Sequence, residues 1–330
     1  MARAMGESRD LAEAGPLRIL FVTSCLINLL EDILHEGFDE VLGPENVFCF
    51  PYKDYEDFQY NLYPPDPTTP PHRPVTGYVR LMTAKEEIGA VVIGSGSVAT
   101  WQLIQDEFTG VPVALIQELE GAWPTGVRYT HRFAKNLLPE EQASDLWPLP
   151  MAAPPRAMLA ADVPRDIDLS FVVRRTDVFR ALCAEALLQK GFCVLLGADL
   201  PREQFCWLLN RSKIAVSVRG SGWDTFRYWE IPYHGALLLS QRLPILIPDN
   251  FVDGTSAAFF DSPEEMVEKA QDLLTHPETL ACIASAGRRL ALEKHTAGAR
   301  ARYVLEKLGL AVPARPLGRH ATGSGRVPVQ

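Results

Sequence analysis

A turn between an apolar strand and a helix holds the densest group of chemistry-bearing residues in this sequence. The segment VRGSGWDTFRYWEIPYHG, residues 218–235, places three glycines, two arginines and two acids close together. Gly220 and Gly222 allow a tight turn and a close backbone approach, and the helix that follows presents free N–H groups to an anion. Arg227, in its first turn, adds a forked and permanently charged contact to phosphate oxygens. The segment therefore predicts a diphosphate site.

The other polar residues of this segment extend the predicted site or support the helix. Glu230, one turn beyond the arginine, is placed to accept hydrogen bonds from a ribose diol. Asp224 or Thr225 belongs to the ligand site or is simply the N-cap of the helix, because both residue types are preferred at that position. Arg219, which opens the turn, is part of the same predicted site.

The elements around this turn follow an α/β rhythm that begins twice. Continuous apolar runs, typical of strands buried on both faces of a parallel sheet, occur at 17–24, 90–93 and 113–117, with a helix-length segment at 98–108. After a proline-rich stretch, strands are expected at 167–173, 193–196 and 214–218. The prediction is two Rossmann-like domains facing across a cleft. Their expected bounds are 1–16 disordered tail, 17–150 first domain, 151–165 linker, 166–310 second domain and 311–330 disordered tail.

The bulk properties agree with two globular domains. A length of 330 residues exceeds one ordinary core, and 47% hydrophobic against 22% charged residues is a globular composition. A net charge of −9 argues against generic nucleic-acid binding. The early apolar stretch 17–30 is interrupted by polar residues, so we expect no transmembrane segment and a cytoplasmic protein.

Neither cysteine nor histidine spacing indicates a metal centre. The six cysteines include no CxxC pair, which is typical of reduced core thiols, and no histidines show a zinc-binding spacing. We therefore expect no metal and no bound cofactor.

The second half of the sequence resembles a known family. The run from Phe226 to Ser240, FFDSPEE from Phe259, and HTAGARARYVLEKL from His295 resemble group 1 glycosyltransferases, particularly the CgeB-like spore-maturation branch, over roughly residues 167–309. The resemblance implies a GT-B fold and transfer of a sugar without a metal. A nucleotide-sugar donor would bind to the second domain, and an unidentified acceptor to the first.

The resemblance also implies roles for individual residues. Glu230 matches the acid that opens the family signature, here EIPYHG, and binds the ribose, and Gly235 matches the glycine of that signature. Arg174 and Arg175 follow the first strand of the second domain, where the family often carries a basic group near the donor diphosphate. Gly197 lies where the nucleobase is usually lodged.

One position departs from the family pattern. Retaining members carry a second acid eight positions before the ribose-binding Glu230, and this sequence has Gly222 there. Asp224 is near but out of register. The identity of the donor sugar and the stereochemical course therefore stay open, and a catalytically silent nucleotide-binding protein is an alternative.

An inverting reaction would need a base to deprotonate the acceptor. The candidates in the first domain are Glu118, Glu120 and His131. The two glutamates follow the strand at 113–117, at the carboxyl end where open α/β sheets bind ligands. Solvated turn residues would fit the same positions.

A glycine-bearing turn after the strand at 90–93 has two interpretations. Gly94, Ser95, Gly96 and Ser97 open a G-x-G-x-x-A pattern, with acids about twenty residues later, as in dinucleotide-binding proteins. This pattern indicates an alternative function, that of an NAD-dependent oxidoreductase. In the glycosyltransferase interpretation, the same turn faces the cleft and helps to hold the acceptor.

A long loop at 52–74 contains six prolines and four tyrosines. Its prolines exclude regular structure. Its aromatic rings either hold the acceptor or pin the loop to the surface.

Overall fold

The computed structural model describes residues 16–23, 29–50, 78–118, 122–153, 163–173, 177–196, 200–220 and 222–312. Several predictions concern residues outside these ranges, namely the terminal tails, the loop at 52–74, Glu120, Arg174, Arg175 and Gly197. Within the described ranges, no helix combines the length and the apolar character needed to cross a membrane.

The first sheet has six strands that are all parallel, in the order β2-β1-β3-β4-β5-β6. Its strands are β1 (Arg18–Val22), β2 (Val47–Phe50), β3 (Ile88–Gly94), β4 (Val113–Gln117), β5 (His131–Ala134) and β6 (Leu146–Pro148), and its helices are α1 (Leu29–Leu42), α2 (Tyr78–Ala84) and α3 (Val98–Ile104). The strand order reverses between β1 and β3. Ligands of open α/β sheets bind at such a reversal, beyond the carboxyl ends of the strands.

The second sheet has five parallel strands in the order β11-β10-β9-β7-β8. Its strands are β7 (Ile167–Val173), β8 (Cys193–Leu196), β9 (Ser212–Ser217), β10 (Leu237–Gln241) and β11 (Ala258–Phe260). The helices after them are α4 (Val178–Gln189), α5 (Arg202–Arg211), α6 (Phe226–Tyr233), α7 (Pro263–Thr275), α8 (Pro277–Lys294) and α9 (Ala297–Lys307). Here the order reverses between β7 and β9. The prediction of two Rossmann-like parallel sheets is confirmed.

Several predicted element boundaries were wrong, and two of them have a clear physical reason. The helix predicted at 98–108 ends at Ile104 and continues as one 3-10 turn, Gln105–Glu107, where acids oppose the negative end of the helix dipole. Strand β9 begins at Ser212, two residues earlier than predicted. The sequence did not indicate this start because Ser212 is polar. The residue is nevertheless buried, and its hydroxyl is hydrogen-bonded to Ser170 Oγ on β7 at 2.7 Å.

Helix α9 follows the second domain in sequence but packs on the first. Its buried residues Ala301, Val304 and Leu305 lie in one apolar core with α1 and the first sheet. Gly37 of α1 permits this contact, since a Cβ there would lie 2.2 Å from the backbone oxygen of Ala297. The predicted bounds of the second domain, residues 166–310, thus include a helix that packs on the first. An amphipathic pattern shows which face of a helix is buried, but not against which neighbour.

A buried carboxyl group joins the two domains. Asp224 is 4% exposed, and its Oδ2 accepts a hydrogen bond from the backbone N–H of Met151, in the linker, at 2.6 Å. Its Oδ1 accepts from Trp229 Nε1 at 2.7 Å, and its own N–H donates to Asn136 Oδ1 of the first domain at 3.1 Å. The linker and both domains therefore meet at one residue.

A buried arginine holds the other side of the linker. Arg300 of α9 donates from Nε to the carbonyl of Met151 at 3.1 Å and lies over the ring of Trp229. Its Nη2 contacts His295 Nδ1 at 3.0 Å, and His295 Nε2 contacts the carbonyl of Asp249. Because a carbonyl only accepts and a guanidinium only donates, Nε2 carries the proton of this imidazole. Burial, with the nearby charge of Arg300, lowers the pKa of His295 to about 2 and keeps it neutral.

The contact between α1 and α9 predicts the effect of Gly37→Ala. Alanine inside an exposed helix would stabilise by about 1 kcal/mol relative to glycine, but here its methyl group would push the two helices apart. We expect a net destabilisation of about 1–3 kcal/mol, measured by urea unfolding. Ser285→Ala, at an exposed position of α8, is the control and should change stability by less than about 0.5 kcal/mol. A neutral or stabilising Gly37→Ala would contradict the packing of α9 on α1.

The buried carboxyl predicts a pH-dependent difference between the wild type and Asp224→Asn. Burial raises the pKa of Asp224 to about 6, although hydrogen bonds from Met151 and Trp229 oppose the shift. A pKa raised by folding stabilises the protein below the unfolded value, near 4, and this stabilisation is lost as pH rises through about 6. The lead of the wild type in unfolding free energy over Asp224→Asn should therefore shrink by roughly 2–3 kcal/mol between pH 4 and pH 7.

Urea unfolding at several pH values measures this difference. Asp145→Asn is the control, because hydrogen bonding to Arg132 lowers the pKa of Asp145. The contribution of Asp145 is lost only as pH falls, so its lead over Asn should not shrink between pH 4 and pH 7. A difference for Asp224→Asn that does not change with pH would show that its carboxyl is not titrating in the buried environment described.

Candidate functional site

Arginine side chains converge at the carboxyl end of β9, next to the strand reversal of the second sheet. Arg180, in the first turn of α4, is buried at 6% exposure. Its Nε donates to the carbonyl of Arg219 at 2.5 Å and its Nη2 to the carbonyl of Val218 at 3.2 Å. Arg227, in the first turn of α6, is close enough to act on the charge of Arg180. Three arginines, Arg180, Arg219 and Arg227, therefore lie in or beside the loop that follows β9.

The charges of this cluster favour an anionic ligand. Burial lowers the pKa of Arg180, and the positive charge of Arg227 lowers it further, while Asp177 partly offsets both effects. Arginines remain protonated under ordinary conditions, so the two cations repel each other inside a partly desolvated site. A bound anion would relieve this repulsion, and a phosphate group would also match the forked geometry of guanidinium donors.

Asp177 orders the edge of the arginine cluster. Its carboxylate caps α4 by accepting from the N–H of Phe179 at 2.8 Å and also accepts from Arg219 Nη2 at 2.8 Å. Burial alone would raise the pKa of Asp177, but these two hydrogen bonds outweigh burial and lower it. Arg219 lies over the ring of Trp223 at 5.0 Å and is about two-fifths exposed. Arg219 therefore lies at the solvent side of the cluster, where Asp177 and Trp223 fix the position of its side chain.

The two glycines of the loop make room for protein side chains. A Cβ on Gly220 would lie 3.1 Å from Arg180 Nη2, and a Cβ on Gly222 would lie 3.0 Å from Asn136 Nδ2. Thr225 is the N-cap of α6, with its hydroxyl 3.4 Å from Ser217 Oγ. Asp224 does not face the arginine cluster, because its two oxygens bind the N–H groups of the domain junction. The interpretation of Asp224 as a structural residue therefore fits the geometry better than a ligand contact.

The two residues predicted from the family signature, Glu230 and Gly235, lie within α6 and just after its end. Glu230 is buried at 3% exposure in the middle of α6. Gly235 ends α6 in the left-handed conformation, φ 79°, and leaves space for the guanidinium of Arg165. Because α6 runs from the end of β9 to the start of β10, Gly235 lies at the sheet edge opposite Arg219. Gly235 therefore forms the turn that ends α6, and the predicted donor contact is at the opposite end of the strands.

The glycine-bearing turn of the first domain follows the reversal between β1 and β3. Gly94 ends β3, and Ser95, Gly96 and Ser97 form one 3-10 turn before α3. A Cβ on Gly94 would lie 1.6 Å from Glu31 Oε1, and Glu31 is 1% exposed. The space beside this glycine therefore holds a carboxylate, whose charge disfavours a diphosphate.

Two predicted bases lie at opposite ends of the strands of the first sheet. Glu118 directly follows β4, and its Oε1 lies 3.4 Å from Lys135 Nζ. His131 begins β5 and contacts the hydroxyl of Thr130 through Nδ1 at 2.8 Å. The length of β5 separates His131 from the carboxyl edge by about 10 Å. This placement removes His131 from the cleft side and leaves Glu118 there.

Sequence reasoning missed Arg180 and Asn136. Arg180 carries a signal, because it shares the buried face of α4 with Cys183, Ala184 and Leu187 at helical spacing. A charged residue on an apolar stripe indicates a buried partner or a ligand. Asn136 carries no comparable signal, since its contact with the second domain arises only from the placement of two distant loops.

The cysteines and the possible metal ligands of the described residues were compared with known types of site. Cys49, Cys183, Cys206 and Cys282 are free thiols. Burial raises the pKa of Cys183 to about 12, which makes it a poor nucleophile. The described residues include no group of three or more His, Cys, Asp or Glu side chains suited to a metal ion.

Comparison with known proteins agrees with this architecture. Residues 176–306 match the family model described as glycosyl transferase-like. No curated protein matches the sequence. The similar proteins reported below are solved structures with low sequence identity to this chain.

Three of these structures illustrate the likeness. HepE from Anabaena, in complex with UDP and glucose, has a TM-score of 0.59 at 9% identity, covering 89% of this chain and 99% of its own. A glycosyltransferase from Rickettsia africae has a TM-score of 0.55 at 11% identity, covering 88% and 97%. Sucrose-phosphate synthase from Thermosynechococcus elongatus has a TM-score of 0.55 at 11% identity, covering 88% and 98%. The chain thus has the GT-B fold, and its second domain matches a glycosyl transferase-like family.

Proposed function

We propose that this protein is a glycosyltransferase that moves a hexosyl group from a nucleoside-diphosphate sugar to an acceptor. The observation that carries the proposal is the arginine cluster at the strand reversal of the second sheet, where Arg180, Arg219 and Arg227 surround the loop after β9. The family match over this domain supports it. A neighbour of the same fold was solved with UDP and glucose. Assignment to the CgeB-like branch stays a prediction.

The proposed donor lies with its diphosphate against the arginine cluster and the N-terminus of α6. Backbone N–H groups and the helix dipole there add to the attraction of the guanidinium groups. The predicted roles of Arg174 and Arg175 near the diphosphate, of Gly197 at the nucleobase and of Glu230 at the ribose complete the proposed donor site.

The proposed chemistry is displacement at the anomeric carbon. The bond between this carbon and the β-phosphate oxygen breaks, and its electron pair stays on the leaving diphosphate. The acceptor oxygen forms the new bond to the anomeric carbon and loses its proton to a base. Arginines stabilise the charge that develops on the phosphate, so the proposal needs no metal. Glu118, at the carboxyl edge of the first sheet, is the proposed base if the reaction inverts.

A specific observation favours a second function, that of a catalytically silent nucleotide-binding protein. Gly222 occupies the position of the expected acid, and Asn136 of the first domain lies against it. A side chain at 222 would require this amide to move, since a Cβ there would lie 3.0 Å from Asn136 Nδ2. The donor sugar would then lack a contact that the family resemblance implies. Slow hydrolysis of the donor, or transfer to any acceptor, would exclude the silent function.

The oxidoreductase alternative depends on the turn at Gly94. It requires a pyrophosphate beside this glycine, where the structure places the carboxylate of Glu31. Binding of NAD with loss on altering Gly96 would revive it.

The arginine cluster predicts the outcome of a ligand-stabilisation experiment. Thermal unfolding is measured with UDP-, GDP-, dTDP- and ADP-sugars and with NAD. One sugar nucleotide should stabilise the wild type, by roughly 2.7 kcal/mol at about one hundred times its dissociation constant. Arg219→Ala should weaken that binding about tenfold or more, because a charge-assisted contact to phosphate contributes roughly 1.5–3 kcal/mol.

Arg242→Ala is the matched control. Arg242 lies in the same domain, is about half exposed, pairs with Asp253 and Asp261, and lies over an aromatic ring, so it resembles Arg219 in all but position. Its removal should leave nucleotide binding unchanged. Equal effects of the two substitutions would locate the diphosphate elsewhere, and stabilisation by none of the sugar nucleotides would overturn the proposed function.

A further inference from the structure

A cavity of about 230 Å³ lies in the first domain beside the domain junction. It follows the face of β5 that carries Arg132 and Ala134 and continues beyond the end of the strand. Its polar wall is formed by Gln117, Glu118, Lys135 and Asn136, and another wall by Trp123 and Arg132. Pockets for drug-sized ligands are usually about 300–1,000 Å³, so this cavity suits a single ring.

The two cations that line this cavity are each paired with a carboxylate. Lys135 Nζ lies 3.4 Å from Glu118 Oε1, and both side chains are at least 85% buried. Arg132 binds both oxygens of Asp145, at 2.8 and 2.7 Å. Since each cation already has a carboxylate partner, the cavity offers little attraction to a phosphate or carboxylate. Its carboxylate, ammonium and amide groups instead match the donors and acceptors of hydroxyl groups.

The lining of the cavity also includes an aromatic ring, that of Trp123. The guanidinium of Arg132 lies 5.1 Å from the centre of the Trp123 ring, which fixes the orientation of the indole. Aromatic surfaces bury the apolar faces of ligand rings while polar groups hold their edges. A pyranose has such faces and carries hydroxyls around its edge.

Asn136 connects this cavity to the loop after β9. It lines the cavity, and its Oδ1 accepts from the N–H of Asp224 in the second domain. Its Nδ2 lies beside Gly222. The next residue, Leu137, accepts at its carbonyl from the N–H of Leu246 at 2.8 Å. A ligand in the cavity would therefore be one side chain away from the loop that the proposed function assigns to the donor.

We infer that this cavity is the acceptor subsite and that it takes one uncharged saccharide ring. Trp123 packs on the face of the ring, and Glu118 with Lys135 binds adjacent hydroxyls. The inference rests on the proposed function, because the role of acceptor requires a donor on the second domain.

Binding of neutral methyl glycosides to the full chain tests the inference. Methyl glucoside, methyl galactoside and methyl N-acetylglucosaminide are titrated with saturation-transfer NMR, and methyl glucuronide serves as the charged probe. At least one neutral glycoside should bind, and more tightly than the glucuronide. Trp123→Leu and Glu118→Gln should each raise its dissociation constant about tenfold or more, a change that corresponds to about 1.4 kcal/mol.

Two control variants match these substitutions outside the cavity. Trp207→Leu alters a half-exposed indole that stacks with Arg211 in the second domain, and Glu107→Gln breaks an exposed ion pair with Lys85 in the first. Both should leave glycoside binding unchanged. Sugar-nucleotide stabilisation, measured on the same samples, reports on folding and on the donor site.

The outcomes separate the two levels of the proposal. Sugar-nucleotide binding without binding of any neutral glycoside, or with binding that neither cavity variant weakens, overturns the acceptor subsite and leaves the proposed function intact. Glycoside binding without sugar-nucleotide binding leaves a saccharide site but overturns its role as acceptor subsite, together with the proposed function. Tighter binding of the glucuronide than of every neutral glycoside overturns the uncharged class.

Discussion

The arrangement of the two domains depends on one desolvated carboxyl group. Asp224 receives hydrogen bonds from Met151 and Trp229 and donates its own N–H to Asn136. A buried carboxyl is stable only where its oxygens are satisfied, so the linker and the second domain must be in place together. The backbone N–H of the same residue adds the contact to the first domain. Arg300 completes the enclosure by binding the carbonyl of the same linker residue.

This junction also shapes the candidate site. The loop after β9 is held at its far end by Asp224, and at its near end by Arg180, which binds two of its carbonyls. The residues between them are thereby presented at the carboxyl edge of the sheet. Gly222 is part of this construction, because its missing side chain lets Asn136 approach from the first domain. The same approach places the cavity around Glu118 next to the loop.

The fold was predictable to the extent that each element buries its own residues. Strands β4, β7 and β8 match their predicted limits because short segments of mainly apolar residues are sufficient to mark buried strands. The start of β9 was not predictable, since its polar first residue binds a serine on a neighbouring strand. The location of α9 on the first domain was not predictable either, because its apolar face fits any complementary surface.

By itself, the sequence determined the two parallel sheets and the turn of glycines and arginines after β9, because strand burial, turn formation and helix capping act over a few neighbouring residues. Tertiary structure alone decided which predicted residues meet. It brought Arg180 and Arg227 together. It placed Gly235 and His131 at the amino ends of their strands, away from the predicted site. It also made Asp224 the residue that contacts the linker and both domains. These outcomes depend on contacts between residues far apart in the chain, and such contacts follow from the packing of whole elements.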